Sequence, residues 1–111
     1  MSYSIFTIPT FDKQLKRLAK KYVSLKTDFA DLLDRLEENP RQGKSLGNNC
    51  YKVRLAIATK GKGKSGGARV IFYIVISEEK IYLLTIYDKS EKNNLTDKEL
   101  NELLSQISEN E

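Results

Sequence analysis

The chain has 111 residues, of which 40% are apolar and 31% charged, and its formal net charge is +4. This length accommodates one domain, residues 1–111, with one hydrophobic core. Without histidine and with Cys50 as its single cysteine, the sequence argues against intramolecular disulfides, metal or cofactor binding and histidine-based catalysis. It also lacks the apolar runs of a signal peptide or membrane span, so we expect a cytoplasmic protein that does not bind membranes.

The first part of the chain predicts a strand followed by a helical hairpin. Residues 3–8 alternate loosely between apolar and polar side chains, which predicts a short strand that ends at Pro9. Thr10 is a candidate N-cap for the helix that follows. Two apolar stripes at helical spacing predict two helices, of which the second ends before Pro40. Their apolar residues are Phe11, Leu15, Leu18, Ala19 and Tyr22, then Leu25, Phe29, Leu32, Leu33 and Leu36.

The rest of the chain predicts three strands and a helix. After a polar connector, residues 50–58 alternate strictly and predict a half-buried strand. The lysine- and glycine-rich residues 60–67 predict a mobile loop, and the almost wholly apolar residues 68–76 predict a central strand covered on both faces. A hairpin at residues 77–80 leads to a last strand, residues 81–89. Thr96 and Glu99 form a capping box that opens a final helix.

The predicted order of elements is β-α-α-β-β-β-α, without repeats or linkers. It indicates an α+β domain with a small, mostly antiparallel sheet and the helical hairpin packed on one face.

Charge is distributed unevenly along the chain. Residues 1–40, 41–69 and 70–111 carry net charges of +1, +8 and −5, and the middle region contains no acidic residue. Such segregation costs self-repulsion, which a chain usually tolerates only where a polyanion neutralises it. The middle region therefore predicts a surface that holds the backbone of a nucleic acid. Its cations are Arg41, Lys44, Lys52, Arg54, Lys60, Lys62, Lys64 and Arg69.

The glycine-rich loop at residues 60–67 has two interpretations. It satisfies G-x-G-x-x-G, but nucleotide sites of that kind need a helix directly after the loop, whereas a strand follows here. Lys60, Lys62 and Lys64 predict a flexible finger that contacts nucleic acid phosphates. A solvated hairpin tip remains the alternative.

Four further positions suggest how the strands contribute to such a surface. Lys52 and Arg54 lie two residues apart on one strand face, about 7 Å from each other, which is close to the spacing of successive phosphates in an extended strand. Exposed strand positions also often carry such residues without a function. Arg69 opens an otherwise apolar strand, and in an antiparallel sheet it is expected to meet Lys89 at one edge. Cys50 is interpreted as a small buried side chain, not as a nucleophile.

Three segments resemble the RelE/ParE superfamily of toxins, nearest its RelE and HigB branches. They are C-Y-K-V-R-L from Cys50, G-A-R-V-I-F-Y from Gly67, and I-Y-L-L-T-I-Y-D-K-S-E from Ile81. The likeness spans nearly the whole chain, including the helical hairpin that ends in E-N-P. It implies the toxin of a type II toxin–antitoxin pair, a ribosome-dependent endoribonuclease that cuts mRNA in the ribosomal A site and is silenced by a cognate antitoxin. The chemistry implied is attack of the ribose 2′-hydroxyl on the adjacent phosphate, without metal or cofactor.

The resemblance also implies roles for individual residues. Lys52 matches a general base, Arg54 a phosphate clamp, and Arg69 the arginine that stabilises the phosphorane. Lys89 stands where a second arginine is usual. The family's late tyrosine has no counterpart in E-K-N-N-L-T, and Tyr87 is a candidate to replace it. Contact with RNA outside the catalytic centre is expected from Lys44, Lys60, Lys62 and Lys64.

Two other functions remain open at the level of the sequence. One is a ParE-like toxin that shares the fold but inhibits DNA gyrase by binding, without nuclease activity. The other is an RNA-binding relic of a toxin without activity. The charge pattern favours the ribonuclease. The antitoxin is expected to be acidic or amphipathic and to pack on the helices or cover the basic edge of the sheet.

Overall fold

The computed structural model describes residues 3–60, 67–92 and 94–109, and shows an α+β domain. The strands are β1 (Ser4–Thr7), β2 (Lys44–Gly47), β3 (Cys50–Leu55), β4 (Ala68–Val75) and β5 (Lys80–Asp88). The helices are α1 (Pro9–Lys21), α2 (Leu25–Glu38) and α3 (Asp97–Glu109), and single 3-10 turns follow β3 and β4. Of the predicted loop at residues 60–67, residues 61–66 lie outside the described ranges. No helix in the described ranges is long and apolar enough to cross a bilayer.

The strands form one sheet in the order β1-β5-β4-β3-β2. β1 runs parallel to β5, and all other neighbours are antiparallel. The predicted α+β class with a mostly antiparallel sheet is therefore confirmed. The central position of β4 is also confirmed, as its first five residues are all buried.

β2 lies in the segment whose polar composition predicts a connector. It pairs with β3 at the edge of the sheet, so the described part of the chain has five strands where four were expected. All four residues of β2 are exposed, which explains the missing apolar periodicity. A turn with positive φ at Asn48 and Asn49 joins it to β3. Two such residues are the signature of a type I′ hairpin turn, and this signal was available in the sequence.

The two faces of the sheet are covered differently. The apolar sides of α1 and α2 form the core together with Val53, Val70 and other residues that alternate to the same side of the sheet, so the helical hairpin packs on one face as predicted. On the opposite face, α3 borders a cavity that Tyr73 and Tyr82 also line. Near residue 67 on this face, Arg54 of β3 is exposed, whereas Arg69 of β4 is buried.

The helix boundaries follow from local signals, with one correction. α2 ends at Glu38, as Pro40 predicts. The capping box is confirmed, because the amide of Glu99 donates to Thr96 Oγ1 (3.1 Å) and the amide of Thr96 donates to Glu99 Oε1 (3.0 Å). Thr10 as N-cap of α1 is wrong: the cap position is Ile8 and Pro9 opens the helix. Proline suits that first position because it has no amide hydrogen to satisfy.

Candidate nucleic-acid interface

A concave surface of about 650 Å³ extends from the last turn of α2 across β2, β3 and β4 to the residue that follows β5. Six cations line it, and none of the described residues that line it is acidic. We call this surface the basic groove. Its cations are Arg35, Lys44, Lys52, Arg54, Arg69 and Lys89.

The strand register explains why these cations converge. Arg54 of β3 lies directly opposite Arg69 of β4, and Lys44 of β2 lies directly opposite Lys52 of β3. Opposed residues point to the same face, with Cβ atoms about 5 Å apart, and like charges in such pairs are destabilising. The two cationic pairs lie side by side, so a bound anion would reduce the repulsion between their charges.

Lys52 has an altered basicity in this setting. Its side chain is partly buried, and this burial lowers the pKa of its ammonium group. The neighbouring positive charges lower the pKa further, in the order Lys44, Arg69, Lys89 and Arg54. A lowered pKa raises the fraction of neutral amine near neutral pH, which is what a lysine needs in order to accept a proton.

Arg69 is the most deeply placed cation of the groove. Only 4% of its surface is exposed, and its Nη1 donates to the carbonyl oxygen of Ala68 at 3.2 Å. Burial, followed by the charge of Arg54, lowers the pKa of the guanidinium. Arginine nevertheless stays protonated in proteins, so this position supplies a fixed, weakly hydrated positive charge.

Lys89 enters the groove from a hydrogen-bonded turn at the end of β5. The fully buried Asp88 accepts hydrogen bonds from the hydroxyl of Tyr22 (2.6 Å) and from the amide (3.0 Å) and hydroxyl (2.8 Å) of Ser90. The amide of Lys89 donates to the carbonyl oxygen of Gly67 at 3.3 Å, at the start of β4. Lys89 and Arg69 both line the groove, as the antiparallel arrangement led us to expect.

Tyr87 does not line the groove. It lies opposite Arg69 in the register, is only 5% exposed, and its hydroxyl has no hydrogen-bond partner among the described residues. The ring borders a second cavity, of about 270 Å³, beneath the start of α3 with Glu99 and Lys92. Burial raises the pKa of Tyr87, partly offset by Arg69 and Lys92 and reinforced by Glu99, so its hydroxyl is protonated at neutral pH.

The predicted site residues are thus only partly brought together. Lys44, Lys52, Arg54, Arg69 and Lys89 share the groove, whereas Tyr87 lies outside it. Lys62 and Lys64 lie outside the described residues, and so does the side chain of Lys60.

Three polar residues of the groove are not among the residues that the sequence predicts for the site: Arg35, Gln42 and Asn94. Arg35 belongs to a helix in which five of the seven charged residues are acidic, and Gln42 and Asn94 lie in connecting segments. No periodicity or charge cluster distinguishes them, because their proximity to Lys52 and Lys89 depends on how the chain turns after α2 and β5.

The remaining chemistry of the chain offers little for catalysis. Cys50 is fully buried, and burial raises the pKa of its thiol to about 11, so the thiolate that a nucleophile needs is scarce near neutral pH. Among the described residues, no group of three or more cysteine and carboxylate side chains is placed to hold a metal ion. The groove offers cations, amides and backbone groups, which suit the binding of phosphate.

A protein-family model described as the RelE toxin of the RelE/RelB toxin–antitoxin system matches residues 9–110. The chain belongs to this family of toxins.

Solved structures show the same fold. The isolated E. coli RelE toxin is 16% identical with a TM-score of 0.62, and the match covers 96% of this chain and 99% of that one. A chain of the intact E. coli RelBE toxin–antitoxin complex is 17% identical with a TM-score of 0.61, covering 78% and 96%. The RelBE2 toxin–antitoxin complex of Mycobacterium tuberculosis contains a similar chain, 16% identical with a TM-score of 0.58, covering 79% and 99%. At these identities the likeness establishes the fold alone.

Proposed function

We propose that this RelE-family toxin is a ribosome-dependent endoribonuclease that cuts mRNA in the ribosomal A site without a metal ion. One observation carries the proposal: six cations line one groove in which no described acidic residue takes part. Such a surface suits a sugar-phosphate backbone, since each phosphate neutralised releases counterions.

The groove contains suitable groups for cleavage by an internal nucleophile. Lys52, whose pKa is lowered by burial and by its cationic neighbours, accepts the proton of the ribose 2′-hydroxyl. The activated oxygen attacks the adjacent phosphorus and the bond from phosphorus to the 5′-oxygen of the next nucleotide breaks, which gives a 2′,3′-cyclic phosphate and, once the leaving oxygen takes up a proton from water, a 5′-hydroxyl. Negative charge develops on the phosphate during this attack, and Lys52 does not compensate it. The arginines of the groove supply that compensation.

The arginines and Lys89 stabilise negative charge at successive points of the reaction. Arg54, which is exposed, clamps the phosphate of the bound strand, and the buried Arg69 directly opposite it stabilises the phosphorane. Lys89 supplies a point charge at the β5 end of the groove, where an ammonium binds one oxygen and not two. Tyr87 is given no step in this scheme, because it lies outside the groove and borders the second cavity.

The proposed partners follow from the same surface. Lys44, together with Lys60, Lys62 and Lys64, contacts RNA outside the scissile phosphate. The ribosomal target makes the cytoplasm the site of action. A cognate antitoxin of acidic or amphipathic character neutralises the toxin, in keeping with the family to which the chain belongs.

Primer extension on an mRNA, with and without ribosomes, tests the proposal. We expect cuts within codons only when ribosomes are present, and a loss of at least about 100-fold in cleavage rate for Arg69→Ala, given the usual effect of removing a charge-stabilising donor. Lys13→Ala, which removes an exposed cation of α1 away from the groove, serves as the control and should cleave normally. Uncut mRNA together with inhibited DNA supercoiling would replace the proposal with gyrase binding.

A further inference from the structure

The last turn of α2 and the connector behind it form one wall of the basic groove. Nε2 of Gln42 donates to the carbonyl oxygens of Arg35 (2.7 Å) and Asn39 (3.0 Å), and the amide of Asn39 also donates to Arg35 (2.9 Å). These bonds satisfy carbonyls that the end of a helix leaves without intrahelical partners. The side chain of Gln42 therefore fixes the backbone of Arg35 and folds the connector back against the helix.

Gly43 ties this turn to β3. Its φ is +85°, and a Cβ atom at this position would overlap the backbone carbonyl of Lys52. The next residue, Lys44, lies opposite Lys52 in the register. Backbone contacts thus place the end of α2 beside Lys52. The backbone, and not only a flexible side chain, therefore brings Arg35 to the groove.

Arg35 is a cation within an acidic stretch of helix. Residues 28–38 contain five carboxylates, and none of them lines the groove, whereas Arg35 does. Among the described residues no carboxylate lies within ion-pair distance of the Arg35 guanidinium, whose Nε reaches only the carbonyl oxygen of Asp31 at 3.5 Å. The carboxylates of this stretch are Asp28, Asp31, Asp34, Glu37 and Glu38.

We propose that Arg35 binds a backbone phosphate of the RNA strand and holds that strand at the β2 end of the groove. This inference rests on the proposed function and adds a substrate contact to it. Lys44 on β2 and Lys89 after β5 line opposite ends of the groove, and β2 and β5 are three strand positions apart, or about 14 Å, which leaves room for more than one phosphate along the groove. A guanidinium suits this role because it can bind two phosphate oxygens at once and does not depend on the base.

The test compares matched variants of the full chain for binding to a short single-stranded RNA carrying 2′-O-methyl groups, which the proposed chemistry cannot cut. For Arg35→Gln we expect a dissociation constant higher on the order of fivefold at low salt, and a plot of log K against log salt less steep by about 0.7. Lys26→Gln is the control, because it removes the same charge from the same helix outside the groove. Arg35→Lys should restore the slope and only part of the affinity.

The outcomes separate this inference from the proposed function. If Arg35→Gln binds like Lys26→Gln while Arg54→Gln binds weakly, the assignment of Arg35 is wrong and the groove remains the RNA site. If Arg54→Gln also binds like the control, or if the unmodified chain does not bind the RNA at low salt, both proposals fail. Thermal melting of each variant reports folding, and a loss of affinity without a change in melting temperature is the expected result, because Arg35 is exposed.

Discussion

Arg54 and Arg69 face each other across β3 and β4, and Lys44 faces Lys52 across β2 and β3. Each pair of like charges costs about 0.2–1 kcal/mol relative to neutral residues in the same positions. Selection for stability alone would favour replacing one member of each pair by a neutral side chain. The opposed cations are better explained by an anionic ligand, whose phosphates convert the repulsion into attraction.

Replacing Lys52 by methionine separates its effect on stability from its proposed effect on catalysis. Lys52→Met removes a partly buried charge with four cationic neighbours, so we expect the free energy of unfolding to rise by about 0.5 kcal/mol and the melting temperature by about 3 °C. Cleavage on the ribosome should fall by at least about 100-fold, the usual effect of losing a general base. Thermal melting and primer extension measure the two effects on the same preparation.

Lys13→Met is the matched control for this prediction, because Lys13 is exposed on α1 and does not line the groove. It should leave both measurements close to those of the unmodified chain. A Lys52→Met chain that melts at a lower temperature would show that Lys52 supports the fold, and full cleavage by that chain would remove Lys52 from the mechanism.

At the scale of elements, two glycines, one directly before β2 and one at its last position, allow a test of how α2 is attached to the sheet. Gly43 and Gly47 both have φ of +85°, but only at Gly43 would a Cβ atom meet the backbone of Lys52, whereas at Gly47 nothing lies within 4 Å. Gly47→Ala should cost about 1 kcal/mol for the left-handed conformation alone. Gly43→Ala should cost about 1–3 kcal/mol more, because the collision forces the backbone apart.

Urea unfolding of the two alanine variants measures this difference directly, and each variant acts as the control for the other. Gly43→Ala should also weaken RNA binding, since Lys44 and the end of α2 would move away from Lys52. Equal midpoints for the two variants would mean that the connector adjusts without cost, and that the wall formed by α2 is not rigidly placed.

The elements also show which parts of the fold the sequence could predict. Periodic apolar side chains identified α1, α2 and α3, and strict alternation identified β3, because burial of one side imposes those patterns. β2 was not predicted because an exposed edge strand has no such pattern. The parallel pairing of β1 with β5 leaves no signal in one sequence. For the same reason Arg35 was missed: its neighbours in the groove are set by the turn at residues 39–43, whereas Lys52, Arg54 and Arg69 were recognisable from their strand positions.

At the scale of the whole molecule, charge is separated between surfaces. The groove carries six cations without a described carboxylate, while α2 and α3 carry most of the acidic residues. Such separation orients an approaching polyanion, because the acidic helices repel it and the groove attracts it. Without a ligand, the cations of the groove repel one another, and dissolved salt can screen this repulsion.

Salt and RNA should therefore each stabilise the domain, and added salt should weaken the stabilisation that RNA provides. Raising salt from low concentration screens the repulsion within the groove and should raise the melting temperature. At low salt, a 2′-O-methylated single-stranded RNA present at about 100 times its dissociation constant should add about 2.7 kcal/mol of stability. At high salt this increment should largely vanish, because affinity that depends on counterion release falls steeply with salt.

A chain that carries both Arg54→Gln and Lys89→Gln should gain less stability from added salt and from added RNA, because two charges of the groove are gone. If RNA stabilised the unmodified chain equally at high salt, binding would depend on contacts other than the charges of the groove.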